Sequence, residues 1–455
     1  MDSEVKIGQR FPLTIKRLDI NGAGIGYYKR KITFVTGAFP QEVVVAEVTA
    51  VHERYLEAKV HRVKVASKSR IKPIDPEYGK VGGIELGALA YPAQLSFKRD
   101  VVSQSLAKFK PEGWQHYQLR PTIGMSNPMH YRNKAQFQVR MIDGHVKAGL
   151  YAPNSHHLIP LSSFATQRPL TMSVINKLCA ILERLHMPIY SEKTNSGSIK
   201  TMVVRESFST GEVQLTLITN TKDLPHRSEL LMAIASELPM VVTVMQNINP
   251  GKTPLIWGLE SHLLAGQPYI TENLLGRDFR LSPQAFLQLN PQMTEKLYQL
   301  AIDALDLSKD ETLVDAYSGI GTIGISLAHT AKEVRGMDII PEAIEDAKQN
   351  AKQNGVNNTH YEVGPAEVIM PQWVKEGFKP DAVIVDPPRA GLDSKFIDTL
   401  LTIKPKKFVY ISCNPSTLAR DLTKLSQVYH VDYIQSIDMF PQTARCEAVV
   451  KFTRI

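Results

Sequence analysis

Short runs of alternating apolar and polar residues open the chain. They cover residues 11–15, 31–35, 43–48 and 56–60, and turn sequences such as Asn21-Gly22 lie between them. Alternation with a period of two is typical of strands that bury one face, and several short strands divided by turns favour a small barrel. We therefore expect residues 1–66 to form a barrel of the OB type, a fold that often binds single-stranded nucleic acid.

A different pattern follows in the middle of the chain. Proline and glycine punctuate residues 70–92, and the next segment has helical spacing. Alternation returns at residues 135–141 before the turn Asp143-Gly144, and Thr210-Gly211 indicates another hairpin. These features predict a central α+β domain built from residues 67–92 and 120–284.

Regular alternation of short apolar strands with helices marks the last third of the chain. Strands are predicted at residues 313–314, 333–337, 382–385 and 408–411. A helix is predicted at residues 341–353, because Pro341 suits its first position and Asn354-Gly355 its end. The pattern predicts an α/β fold with a doubly wound, Rossmann-like domain, which we assign to residues 93–119 and 285–455.

Positive charge is concentrated near the N-terminus. The formal net charge is +8, and residues 1–70 hold 13 Lys and Arg against 7 Asp and Glu. A basic module of this kind favours a polyanionic partner, although a solvated basic surface is the alternative. On the predicted barrel we expect phosphate contacts from Lys16, Arg17, Lys29, Arg30 and Lys31.

The apolar runs are too short for a membrane span. The best run, residues 230–245, is interrupted by Glu237 and Pro239, whereas a membrane helix needs about 20 consecutive apolar residues. The first residues also lack the apolar core of a secretory signal. We therefore expect a cytoplasmic protein that has no membrane partner.

Three cysteines are widely separated along the chain: Cys179, Cys413 and Cys446. They are too few for a disulfide framework or a four-thiolate metal site, so no metal is expected. A lone cysteine is usually a small buried apolar residue, and we interpret Cys179 and Cys446 in that way.

A glycine-rich turn follows the first predicted strand of the α/β domain and precedes a helix. It comprises residues 315–324, with the sequence Asp-Ala-Tyr-Ser-Gly-Ile-Gly-Thr-Ile-Gly. Such a turn lets the backbone approach a nucleotide-like ligand, and an acid about 20 residues further on binds the ribose hydroxyls. Asp338 ends the next strand and fits that role. A purely structural corner between strand and helix is the alternative.

The segment Asp386-Pro387-Pro388-Arg389 follows another predicted strand. Two prolines make a rigid loop at the carboxyl end of a parallel strand, where ligands of this fold bind. The loop suits the gripping of a planar base. It favours a methyltransferase over a nicotinamide dehydrogenase, which has no need of it, while a structural loop is the alternative.

Cys413 stands within Ser412-Cys413-Asn414-Pro415 at the end of a third predicted strand. That position exposes a side chain at the ligand edge of the sheet, where a thiol can become a reactive thiolate. Cys413 is therefore the candidate nucleophile.

These motifs, in this order, resemble the RNA uracil-5-methyltransferase family that carries an N-terminal TRAM domain and acts on bacterial 23S rRNA. The resemblance covers nearly the whole chain. Residues 5–65 are similar to the TRAM barrel, residues 129–134 to the central-domain signature, residues 282–290 to the start of the cofactor domain and residues 440–447 to the C-terminal signature.

The resemblance implies S-adenosylmethionine as the methyl donor and assigns roles to residues. Binding of this cofactor, or lining of the shared pocket, would fall to Gln288, Tyr317, Gly319, Gly321, Thr322, Asp338 and Asp386. RNA contacts would come from Phe286, Asp386, Arg132, Lys16 and Arg17. Cys413 would be the nucleophile and Glu447 the general base.

The chemistry of uracil asks for the last two roles. Its C5 is a poor nucleophile until a thiolate adds at C6, and a base must later remove the C5 proton so that the thiol can leave. The target base must also be flipped out of its stack. Without the resemblance, Glu447 could equally be an ordinary surface carboxylate.

One departure from the family concerns an iron–sulfur cluster. Relatives often hold the cluster on cysteines around a Cys-Gly-Gly-Cys segment, whereas the corresponding places here are Asp75, Val81, Ile84 and Phe164. No cluster is therefore expected. Its loss also fits the branch whose enzymes modify two uridines of 23S rRNA, which favours two target sites. A second departure is Arg445, where relatives often have histidine.

Three alternatives stay open. Transfer RNA uracil-5-methylation would use the same residues, but such enzymes usually lack the N-terminal barrel. Cytosine-5 methylation fits less well, because those RNA enzymes place a cysteine in the Pro-Pro loop, where this chain has Arg389. A non-catalytic RNA-binding protein with a decayed methyltransferase domain would be expected to have lost Cys413, Gln288 or the glycine turn. No protein partner is implied.

Overall fold

The computed structural model describes residues 5–455, and a barrel-like sheet comes first. Its strands are β1 (Arg10–Thr14), β2 (Arg17–Leu18), β3 (Gly24–Tyr28), β4 (Lys31–Thr36), β5 (Val43–Val51) and β6 (Tyr55–Val65). The spatial order is β1-β5-β6-β4-β3-β2. Strand β1 lies at one edge of this sheet and pairs with β5, and β2 lies at the other edge and pairs with β3. Because β1 and β2 follow one another in sequence, the segment that contains them connects the two edges.

A helix and a strand then precede the central sheet: α1 (Tyr91–Phe109) and β7 (Leu119–Ile123). The central region follows with β8 (Lys134–Ile142), β9 (His145–Tyr151), β10 (Leu158–Pro160), α2 (Pro169–Arg184), β11 (Ile199–Glu206), β12 (Val213–Thr219), α3 (Arg227–Glu237), β13 (Val241–Ile248) and β14 (Glu260–Gly266). Its seven strands form one sheet in the order β10-β9-β8-β11-β12-β13-β14.

A short hairpin, β15 (Ile270–Leu274) with β16 (Arg277–Leu281), leads into the last region. That region contains α4 (Pro291–Leu305), β17 (Thr312–Ala316), α5 (Thr322–Leu327), β18 (Glu333–Asp338), α6 (Pro341–Gln353), β19 (Thr359–Val363), α7 (Ala366–Lys375), β20 (Ala382–Val385), α8 (Ser394–Ile403), β21 (Lys407–Ser412), α9 (Pro415–Leu425), β22 (Tyr429–Ile437) and β23 (Glu447–Arg454). The hairpin packs its apolar residues with those of α6.

An eight-stranded sheet in the order β19-β18-β17-β20-β21-β23-β22-β7 is the centre of this region. The predicted α/β fold class is confirmed. Strands β17 to β21 pair in parallel, and β23 is inserted antiparallel between β21 and β22. The predicted domain boundary at residue 120 falls inside β7. This strand pairs with β22 and therefore belongs to the edge of the eight-stranded sheet.

Helices cover both faces of the eight-stranded sheet. One apolar core joins it to α1, α7, α8 and α9, and a second joins it to α4 and α5. Carboxyl ends of parallel strands meet at one edge, which is where ligands of doubly wound folds bind. Across residues 5–455, no helix combines the length and apolar character that crossing a bilayer would take.

Candidate active site

The register between β21 and β23 brings Cys413 and Glu447 together. Ser412 pairs with Ala448 in this antiparallel pair, so the next positions along each strand, Cys413 and Glu447, face one another. Because β23 runs against its neighbours, its first residue lies at the edge where β21 ends. Two residues that are far apart in sequence therefore meet at the ligand edge of the sheet.

The loop that carries Cys413 is tied to the Asp-Pro-Pro loop beside it. Asn414 caps α9 by accepting a hydrogen bond from the backbone N–H of Ser416 at 3.1 Å. Its Nδ2 donates to the carbonyl oxygen of Arg389 at 2.9 Å, and Thr417 Oγ1 donates to the same oxygen at 3.2 Å. The polar residue after the cysteine therefore locks two neighbouring loops together.

Electrostatics at this edge oppose ionisation of the thiol. Burial, followed by the nearby carboxyls of Glu447 and Asp386, raises the pKa of Cys413 to about 11, while Arg389 acts in the opposite direction. Burial raises the pKa of Asp386 to about 7. Burial and Asp386 also raise the pKa of Glu447 well above its ordinary value. Perturbed titratable groups gathered at a strand edge are typical of catalytic sites.

A cleft of about 280 Å³ opens beside the thiol. It is lined by Ile20, Asn21, Glu85, Val101, Ser105, Arg389, Cys413, Asn414, Pro415, Ser416, Ala444, Arg445 and Cys446. The β2–β3 turn of the barrel forms one wall and lies close to the C-terminal loop, since a Cβ added at Gly22 would meet the Cβ of Ala444 at 3.1 Å. The cleft therefore lies between the barrel, α1 and the catalytic loops.

The glycine turn predicted to receive a nucleotide-like ligand lies beside the end of β18. Gly319 N donates to Asp338 Oδ2 at 3.0 Å, and Asp338 Oδ1 accepts from Ile340 N at 3.0 Å. Gly319 and Gly321 both have positive φ, at 53° and 80°. A Cβ added at Gly319 would meet no atom within 4 Å, so the turn faces open space, whereas one at Gly321 would collide with the Tyr361 hydroxyl at 2.8 Å.

Two more predicted cofactor residues flank the turn. Tyr317 also has a positive φ, and its ring packs edge-on against Phe396 with centroids 6.0 Å apart. Burial raises the pKa of Tyr317, so its hydroxyl stays neutral. Thr322 is buried at the first position of α5, just after Gly321.

The segment that carries Gln288 and Phe286 is held by the central sheet. Asn133 donates through its backbone N–H to Leu289 O at 2.9 Å and through Nδ2 to Gln288 O at 3.1 Å. Arg205 Nη2 donates to Ala285 O at 2.6 Å. Gln288 is buried, whereas Phe286 is 60% exposed and offers a free aromatic face.

The predicted RNA-contacting cations fall into two places. Burial lowers the pKa of Arg445, and the nearby cations Arg389 and Arg132 lower it further. The Nε of Arg132 is buried with no hydrogen-bond partner among residues 5–455. Lys16 and Arg17 are exposed on the barrel and are not among the residues that line the cleft. Arg17 donates to Gln104 on α1 at 2.5 Å.

The places that bear cluster ligands in relatives are part of the central core. Val81, Ile84 and Phe164 are buried in one apolar group, and Asp75 Oδ2 accepts from Ala165 N at 2.8 Å. Within the described residues, no group of three or more His, Cys, Asp or Glu side chains is placed to hold a metal ion. Cys179 and Cys446 are buried.

Sequence reasoning missed four side chains that support the loop before Glu447: Gln94, Lys98, Asp438 and Gln442. Gln94 Nε2 donates to Gln442 Oε1 at 2.8 Å, and Lys98 forms a fully buried ion pair with Asp438. One signal in the sequence could have found the two residues on α1. Gln94 and Lys98 are spaced so that they share a helix face with the apolar residues Phe97 and Val101, which indicates that this face is buried.

Two family models match the chain. A model described as tRNA (Uracil-5-)-methyltransferase matches residues 259–455, and a TRAM domain model matches residues 4–61.

Relatives and a solved structure extend the match to the whole chain. An RNA methyltransferase of Lactiplantibacillus plantarum is 63% identical over 100% of this chain and 94% of its own length. One of Enterococcus faecalis is 55% identical over 99% of both chains. The structure of a Pyrococcus abyssi tRNA (uracil-54, C5)-methyltransferase with S-adenosyl-L-homocysteine has a TM-score of 0.77 and 26% identity, covering 97% of this chain and 99% of its own. The chain therefore belongs to the TRAM-domain family of S-adenosylmethionine-dependent RNA uracil-5-methyltransferases.

Proposed function

We propose that this protein methylates C5 of a flipped-out uracil in RNA through a covalent bond between Cys413 and C6 of the base. The β21–β23 register carries the proposal, because it sets a thiol and a carboxyl opposite one another at the ligand edge. A thiol alone would suit many reactions. A thiol facing a carboxyl suits one in which addition to a ring is followed by removal of a proton.

The glycine turn fits S-adenosylmethionine, whose sulfonium supplies an electrophilic methyl group when bound. The open space over Gly319 admits a ligand close to the backbone. Asp338 suits the ribose hydroxyls, and the exposed apolar side chains of Ile339 and Ile340 suit a purine face. We assign Gln288, Tyr317, Gly321, Thr322 and Asp386 to the same ligand or to the wall that it shares with uracil.

Protons and bonds balance across the reaction. Cys413 releases its proton to solvent and Sγ bonds to C6, which makes C5 nucleophilic enough to accept the methyl group as the bond between that methyl and the donor sulfur breaks. Glu447 then takes the proton from C5, the C5–C6 double bond forms again and the bond to Sγ breaks. The high pKa of Glu447 suits a group that must hold this proton before releasing it to solvent.

We further propose 23S rRNA as the substrate, methylated at two uridines in the cytoplasm. The support is the order of motifs, together with the replacement of cluster cysteines by Val81, Ile84 and Phe164. Phe286, Arg132, Lys16 and Arg17 would contact the RNA. Since a 60%-exposed aromatic ring can stack on a base, Phe286 is a candidate to receive an unstacked nucleotide.

Transfer RNA is the second candidate, and the Pyrococcus abyssi enzyme favours it. The barrel was expected to argue against transfer RNA, because such enzymes usually lack it, but this one transfer RNA enzyme matches nearly the whole chain. The part of this chain that the transfer RNA enzyme leaves uncovered, 3%, is much shorter than the barrel. The barrel therefore does not separate the two substrates.

Mass-spectrometric mapping of 5-methyluridine distinguishes the candidates. Ribosomal and transfer RNA would be compared between cells with and without the gene, and the purified protein would then be added to the deficient RNA. Loss and recovery at two 23S uridines supports the proposal in full. Loss at one corrects the number of sites, and loss only in transfer RNA replaces the substrate.

The covalent route has its own test. RNA with 5-fluorouridine at the target cannot lose a proton from C5, so a protein–RNA adduct should survive denaturing electrophoresis. With ordinary RNA, Glu447→Gln should accumulate the methylated adduct, with resolution slowed by about 10²- to 10⁴-fold. The variant Glu376→Gln, at an exposed residue just after α7, should behave like the wild type. If neither RNA yields an adduct from an active enzyme, the covalent route is excluded.

A further inference from the structure

Helix α1 buries a lysine beneath the loop that ends at Glu447. The side chains of Lys98 and Asp438 are both completely inaccessible to solvent and form an ion pair. Lys98 Nζ also donates to the carbonyl oxygen of Phe440 at 2.9 Å. The ammonium is therefore held in place by two points of the same loop.

The same helix holds two further points of this loop. Gln94 accepts from the backbone N–H of Gln442 at 3.0 Å, and the Cys446 thiol donates to the carbonyl oxygen of Lys98 at 3.3 Å. Residues 438–446 are thus anchored on α1 at their beginning, middle and end. Glu447 follows directly, so its placement depends on this helix.

Charges around Glu447 come from several elements. Glu447 as a whole residue is 2% exposed, and its Oε2 has no hydrogen-bond partner in the part of the chain that the structure describes. The titratable groups that face it are Asp386 after β20, Tyr298 on α4, Cys413 after β21, Cys446 next to it and Lys98 on α1. Lys98 supplies the positive charge in this set, and Asp386 supplies a negative charge when it is ionised.

A buried ion pair is a poor device for stability alone. The free energy lost when the two charged groups leave water commonly equals or exceeds the free energy gained from their attraction. Apolar side chains of similar volume often give the same or greater stability. Apolar residues would also fit their surroundings, because α1 packs here in a large apolar core. The charge of Lys98 therefore calls for a use other than packing.

We propose that Lys98 is a positioning residue for Glu447, whose ammonium fixes the loop and favours the carboxylate form that takes the C5 proton. This inference rests on the proposed role of Glu447 as the base. Burial and Asp386 raise the pKa of Glu447, and Lys98 is the group that lowers it. Without that cation, the base would remain protonated at higher pH and elimination would slow.

Two variants give opposite predictions. Lys98→Met combined with Asp438→Asn removes both charges and leaves no unpaired ion behind. Asp438→Asn alone keeps the cation and removes its counter-charge. Resolution of the methylated adduct should then have its pH midpoint raised by on the order of one unit in the double variant and lowered in the single one.

The experiment is single-turnover rapid quench with labelled target RNA from pH 6 to 9. Formation of the 5-fluorouridine adduct is followed beside resolution of the ordinary adduct, and Lys98→Arg, which keeps the charge, should retain the wild-type midpoint. If the pH midpoint of adduct resolution does not move in the double and single variants, or moves in the same direction in both, Lys98 has only a structural role. If the wild type itself forms no adduct, the proposed function fails; if it forms and resolves one with no opposite shifts, only this inference fails.

Discussion

The loop after β21 and the loop before β23 both reach the catalytic edge, but different kinds of contact hold them there. The first carries Cys413 and is capped by Asn414, whose partner Ser416 is two residues away. The second ends at Glu447 and is held by Gln94 and Lys98, more than 300 residues away. The nucleophile is thus placed mainly by local chemistry and the base mainly by tertiary contacts.

Removing the thiol should give the largest effect on activity. Cys413→Ala should lower methylation by at least about 10³-fold, because the proposed route begins with addition of this thiol to C6. Binding of S-adenosylmethionine, measured by calorimetry, should be almost unchanged. Cys179→Ala is the matched control, since Cys179 lies in the central core, and its rate should stay near that of the wild type. Normal activity of Cys413→Ala would exclude the nucleophile assignment.

The rate at which Cys413 is alkylated in the free enzyme should show how charged residues on neighbouring loops change the ionisation of its thiol. With a pKa of about 11 for Cys413, the thiolate fraction and the alkylation rate should rise about tenfold per unit between pH 7 and 10. Arg389→Gln removes the cation that lowers this pKa, so the alkylation rate of this variant should fall at each pH.

Iodoacetamide labelling read by peptide mass spectrometry would follow Cys413 separately from the buried cysteines. Glu447→Gln should act in the reverse direction, because it removes a negative charge next to the thiol. A rate that levels off near pH 8 would contradict the high pKa.

Breaking the distant support should cost stability and catalysis together. Gln94→Ala leaves the buried N–H of Gln442 without its acceptor, so the free energy of unfolding should fall by about 2 kcal/mol. Ser96→Ala, on the exposed side of the same helix, is the control. Chemical denaturation measures the first effect and single-turnover kinetics the second. If Gln94→Ala slows adduct formation more than adduct resolution, the main role of the loop before β23 is not to position Glu447.

Breaking the local support should have the smallest effect. Asn414→Ala removes the cap of α9 and should lower the free energy of unfolding by about 1 kcal/mol. Asp393→Ala removes the corresponding cap of α8, whose side chain accepts from Lys395 N at 2.8 Å. Both variants should lose similar stability in thermal unfolding, but only Asn414→Ala should also slow methylation, because Asn414 ties down the Asp-Pro-Pro loop. Equal activities would show that this tie is dispensable.

The same contrast explains what could be predicted from the sequence. Helix α6 matches its predicted bounds, residues 341–353, because Pro341 and Asn354-Gly355 mark its ends locally. Cys413 could be proposed from its position after an apolar strand. The facing of Cys413 and Glu447 could not, since it depends on β23 entering the sheet antiparallel between β21 and β22. Before the structure, Glu447 rested on family resemblance.

Lys98 and β7 show a second limit. A polar residue on a helix does not reveal whether it faces solvent or a buried acid that lies 340 positions later. Strand β7 is short and precedes the central sheet, so the predicted boundary at residue 120 grouped most of it with the central domain, whereas it pairs at the edge of the eight-stranded sheet. Its pairing with β22 depends on a partner over 300 residues away.

The docking of α1 also bears on the order in which a nascent chain can become an enzyme. At typical synthesis rates of about 5–20 residues per second, the 340 residues between Lys98 and Asp438 take on the order of half a minute to leave the ribosome. During that time the barrel and the central sheet can fold, but α1 lacks the acid that its lysine will pair with. The juxtaposition of Cys413 and Glu447 can therefore form only after β23 has been synthesised and has paired with β21 and β22.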